Sequence, residues 1–127
     1  MWLGAAGIAV ALALPGCGGD DEPSAAEEAR AAAAEFVDAI EAGEFEMACD
    51  ALTRELAEQL GGEACPEQVE AVAGAGDDVA IEITSVRVSG PKAVAQTEVR
   101  RAGAGAQESS LELVEHDGSW RVSGLGG

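Results

Sequence analysis

Few side chains in this sequence are suited to chemistry. There are three thiols, at Cys17, Cys49 and Cys65, one imidazole at His116, no tyrosine, and 24 carboxylates against seven lysines and arginines. No nucleophile–base pair, phosphate-cradling glycine loop or metal-ligand spacing is visible. Two thiols and the distant His116 fall short of a zinc site. Asp20-Asp21-Glu22 and Asp77-Asp78 lack the alternation of a calcium loop. His116 stands beside Asp117-Gly118, a hairpin turn sequence, where an imidazole is expected in solvent. The acid with the most particular setting is Glu115, which that turn places opposite Trp120. A carboxyl against an indole can have a raised pKa and serve as acid or base. The simpler expectation is a rim carboxylate receiving the indole N–H. These residues predict no catalysis, no cofactor and no metal.

Cys17 stands apart from the other two thiols. Residues 1–16 (MWLGAAGIAVALALPG) carry no charged side chain. The run is shorter than the roughly 20 residues a membrane-spanning helix needs, and Gly4, Gly7 and Pro15 interrupt it. It reads as the apolar region of a secretory signal. Leu14-Pro15-Gly16-Cys17 is similar to a bacterial lipobox, which implies a diacylglycerol on Cys17 and cleavage before it. Acyl chains at one residue hold a protein to a bilayer at ~0.8 kcal/mol per buried CH₂. The expected address is the cell membrane, lipid-anchored, facing the extracytoplasmic side. The leader lacks a Lys or Arg, so a natural start a little upstream is expected. In an oxidising compartment, Cys49 and Cys65 form an even pair, and a disulfide is expected.

Charge is unevenly spread. Gly18 to Asp78 carries 18 acids against Arg30 and Arg54, whereas Val79 to Gly127 is nearly balanced. So acidic a surface repels phosphate backbones, which excludes nucleic acid as a partner. It also keeps a tethered domain soluble and off an anionic membrane.

The elements that must position these residues follow from periodicity. After an acidic tether (17–23), Ser24 and Glu27 form a capping box. Ala29, Ala32, Ala33, Phe36, Val37 and Ile40 then recur at helical spacing, and Gly43 is placed to stop the helix. Shorter helices are expected over Glu44–Ala51, Thr53–Leu60 and Cys65–Ala73, with the disulfide joining the second helix to the fourth. The pattern then changes to alternation. Val79, Ile81 and Ile83 share a face with Val86 and Val88 only if a bulge lies near Thr84-Ser85. Gly90-Pro91 turns the chain, and Ala93, Ala95, Thr97 and Val99 form the inner face of a second strand. Leu111 and Leu113 mark a third, and Trp120 and Val122 a fourth. The hairpin register sets Glu115 against Trp120 and Leu113 against Val122.

FVDAIEAGEFEMACDAL (Phe36 to Leu52) is similar to the opening of nuclear transport factor 2-like domains, and LELVEHDGSWRVSGL (Leu111 to Leu125) to their closing hairpin. A cysteine pair spaced like Cys49 and Cys65 resembles that of small exported actinobacterial lipoproteins of this group. The resemblance implies an α+β fold over 24–127, with N-terminal helices packed on a curved four-stranded antiparallel sheet that forms a cone. A cystatin-like helix on a sheet is the alternative. Candidate pocket residues are Phe36, Ile40, Ala93, Ala95, Glu115 and Trp120. The expected function is a non-catalytic binding module at the cell envelope, monomeric or weakly dimeric, with an envelope protein as partner. The alternatives are a carrier of a small apolar ligand in the cone, and an isomerase- or cyclase-type enzyme.

Overall fold

Helix formation begins where the capping sequence sets it. The structure, a computed structural model, describes residues 24–73 and 79–126. Cys17, the leader, the tether and Asp77-Asp78 therefore lie outside the described residues. Ser24 Oγ accepts from Glu27 N–H at 3.1 Å, and α1 runs from Ala25 to Glu41. Its buried face is Ala29, Ala33, Phe36, Val37, Ala39 and Ile40. Gly43, at φ +75°, ends it with a paired C-terminal motif: Gly43 N–H donates to Ile40 O and Glu44 N–H to Ala39 O.

Three short helices follow: α2 (Phe45–Asp50), α3 (Arg54–Gln59) and α4 (Cys65–Ala73), with a 3₁₀ turn over Gly62–Ala64 before α4. Thr53 caps α3, its Oγ1 accepting from Leu56 N–H at 3.1 Å. Helices of six residues are too short to persist alone in water. A disulfide between Cys49 and Cys65, with Cα atoms 6.2 Å apart, ties α2 to the first residue of α4. The bridge expected from sequence is present. No local signal announces the 3₁₀ turn.

The rest is one open antiparallel sheet in the order β1-β2-β3-β4, made of β1 (Val79–Ser89), β2 (Lys92–Arg101), β3 (Ala106–His116) and β4 (Ser119–Gly126). The β1–β2 register shifts between Ile83 and Ser85, at the bulge that the alternation required. Asp117 (φ +53°) and Gly118 (φ +82°) make the last turn, and Glu115 pairs with Trp120 and Leu113 with Val122. Positive φ at both central residues is the hairpin conformation that an Asp-Gly pair favours. A second shift, between Glu112 and Leu113, lies in the β3–β4 pairing. Nothing in the glycine-rich end of β4 signals it.

Both edge strands of the sheet are met by the helical layer. Ile81 N–H of β1 donates to the Glu41 carboxylate at 2.8 Å. On β4, Thr53 N–H donates to Val122 O and Val122 N–H to Ala51 O. Covered edges resist pairing with foreign strands. Helix α1 packs against both edge strands as well as the two between them, and bulges provide the local bend that this needs. Among the described residues, the buried cluster runs from Ala29 to Val122. No helix among the described residues is long and apolar enough to cross a membrane.

Candidate functional site

The two ends of β2 behave differently beneath α1. At one end Ala93 and Ala95 are buried and belong to the same core cluster as Ala29 and Ala33 of α1. At the other end Thr97, Val99 and Arg101 line a half-open cavity of about 300 Å³. Helix α1 contributes Phe36, Val37 and Ile40, and α4 contributes Val69 and Val72. The sheet supplies Val79, Ile81, Thr97, Val99, Leu111 and Leu125. Ligand sites usually begin near this volume.

The chemistry of the wall is simple. Among the described residues, most of the lining is aliphatic or aromatic, and none of it is an acid, a histidine or a thiol. Its polar members are Thr97, Ser109, Ser110 and Arg101. Thr97 and Ser109 are direct cross-strand partners on β2 and β3. Ser109 Oγ donates to Gly126 O at 2.7 Å. Arg101 reaches toward the end of α4, Nη2 donating to Val72 O at 3.5 Å, and so helps close one side. Such a wall can hold and shape a molecule by exclusion of water and by hydrogen bonds.

The residues singled out from the sequence fall in four places. Phe36 and Ile40 line the cavity. Ala93 and Ala95 belong to the packed core beside it. Trp120 is buried and borders a separate surface depression with Ala32 and Met47. Its Nε1 is buried without a hydrogen-bond partner among the described residues, so Glu115, though directly opposite, does not receive the indole N–H. Glu115 is exposed and borders a third depression with Lys92, His116 and Arg121. The His116 ring is in solvent, its Nε2 3.4 Å from the Asp117 carboxylate.

The outer sheet face is polar. Arg100 donates from Nε and Nη2 to Glu98 Oε1 at 2.8 and 2.6 Å. That hydrogen-bonded carboxylate raises the Arg100 pKa above its ordinary value. Among the described residues, no three His, Cys, Asp or Glu side chains gather where a metal ion could be held.

Thr97, Val69 and Leu125 are wall residues that sequence patterning does not mark as part of a site. Thr97 carries a usable signal, a hydroxyl in an otherwise apolar alternation. Val69 and Leu125 come from a short helix and a glycine-rich tail, whose packing partners no local pattern reveals. No protein-family model matches this chain, and no curated protein is significantly similar to it.

Proposed function

We propose that this chain is an exported, membrane-anchored lipoprotein whose domain binds a small apolar molecule and carries out no catalysis. On this reading the four-stranded sheet and α1 form the cone of a nuclear transport factor 2-like domain, and Cys17 carries the lipid. The observation that supports ligand binding is the cavity between α1, α4 and the open end of β2. An apolar cavity of about 150 Å³ holds benzene, so one of about 300 Å³ suits a molecule of one or two rings or a short acyl chain. A protein partner is the weaker reading. Among the described residues, the exposed large apolar side chains Met47, Val72 and Val94 are three scattered over α2, α4 and β2, few for a protein-docking surface, and Val72 belongs to the cavity wall.

The test is titration of a soluble form starting at Gly18 with N-phenyl-1-naphthylamine, an apolar dye that fluoresces when buried. Saturable binding at one site per chain is expected. Val99→Phe, which fills the cavity from β2, should weaken it by about tenfold or more, a loss of about 1.4 kcal/mol. Absence of saturable binding, or binding indifferent to Val99→Phe in a folded variant, would overturn the proposal.

A further inference from the structure

Thr97 is the one polar residue in the buried class among the described residues, at 4% exposure. It lies in the cavity wall, on the inner face of β2 between Ala95 and Val99. Among the described residues its hydroxyl has no hydrogen-bond partner. Nor is Thr97 Oγ1 sealed off from the surface, a state that, among the described residues, an unpartnered side-chain atom reaches only at Trp120 Nε1. Thr97 also borders a depression with Gln96 and Glu98 on the outer face, but its own side chain stands on the buried inner face with Ala93 and Ala95, so the accessible hydroxyl meets the cavity. Beside it, Ser109 Oγ spends its proton on Gly126 O and keeps its lone pairs for accepting.

A hydroxyl so placed is costly unless something meets it, since buried polar groups are almost always hydrogen-bonded. We infer that the cavity's ligand is an apolar molecule bearing a hydroxyl or carbonyl oxygen, and that Thr97 is the residue that receives this oxygen. The inference rests on the reading of the cavity as a ligand site and adds the chemical class of ligand. A threonine hydroxyl both donates and accepts, so alcohols and ketones satisfy it alike, and a pure hydrocarbon of the same shape leaves it unpaired.

Matched probes separate the two claims. Naphthalene and 2-naphthol differ by one hydroxyl and can be followed by their own fluorescence with the soluble form starting at Gly18. The wild type should bind 2-naphthol about 3- to 10-fold more tightly than naphthalene, the size of one net hydrogen bond. Thr97→Val should abolish that preference while naphthalene binding is kept, and Thr97→Ser, which retains the hydroxyl, should preserve it. Equal binding of both probes by the wild type, or a preference that survives in Thr97→Val, overturns the role of Thr97 and leaves the cavity reading intact. If neither probe binds, both readings fall. Should Thr97→Val not fold, the wild-type ratio and Thr97→Ser still decide: no preference, or its loss in Thr97→Ser, counts against Thr97.

Discussion

Single side chains set the sharpest expectations. Trp120 is buried with its Nε1–H unpaired among the described residues, a state that costs about 1–3 kcal/mol. Trp120→Phe removes the orphan donor and keeps most of the ring. Its urea midpoint should therefore correspond to a stability within about 1 kcal/mol of wild type, far from the roughly 3–5 kcal/mol of a tryptophan-to-alanine change. A loss near 3 kcal/mol, the upper end of that range for an orphaned group, would mean that the indole N–H has a partner. Glu115→Gln is the matched control. Glu115 is exposed, and its carboxylate accepts nothing from the indole, so the midpoint should not move. Thr97 belongs to the same class of problem with the opposite outcome: its polar atom faces a space that a ligand can fill, whereas Trp120 Nε1 is sealed in.

Among the elements, the disulfide is the tie that matters most. It joins two helices, one of six residues and one of nine, and Val69 in the second is 1% exposed and forms part of the cavity wall. The double variant Cys49→Ala/Cys65→Ala should lose about 3 kcal/mol by chemical denaturation, the chain-entropy value for a loop of this length. Probe affinity should fall with it, because α4 then loses its covalent tie and is held over the cavity only by packing and by contacts such as Arg101 to Val72 O. An unchanged midpoint would show that the helices are fixed without the bridge. The elements themselves are largely legible in the sequence. The cap at Ser24, the stop at Gly43, the bulge near Thr84 and the Asp117-Gly118 register are local signals, each decided within a few residues. The 3₁₀ turn before α4 and the shift in the β3–β4 pairing are not legible. They depend on how chain segments far apart in sequence meet, and Gly124 and Gly126 carry no side chain from which alternation could be read.

For the protein as a unit, the address is the reading that controls the rest. With Cys17→Ser, the protein should leave the membrane fraction and appear in the soluble extract or the medium. Retention in the membrane fraction would remove the lipid anchor. The candidate site is only half legible at this level. Phe36 and Ile40 can be placed on the inner face of a helix from periodicity alone. The cavity, by contrast, is walled by α1, α4 and all four strands, and how segments so far apart in sequence meet is not carried by any local pattern.

The direction of α1 has a consequence for the cavity. Phe36, Val37 and Ile40 of its C-terminal half line the wall, and its last residue, Glu41, bonds to Ile81 near the start of β1. The cavity therefore lies beside the end of the helix, Ile40 being about 24 Å along the axis from Ser24 at about 1.5 Å per residue. Ile40 precedes the acceptor of that bond, Ile81 supplies its donor, and both face the cavity. Loosening this one tie between helix and edge strand would thus alter the room available to a bound molecule without touching any residue that contacts it through a polar atom.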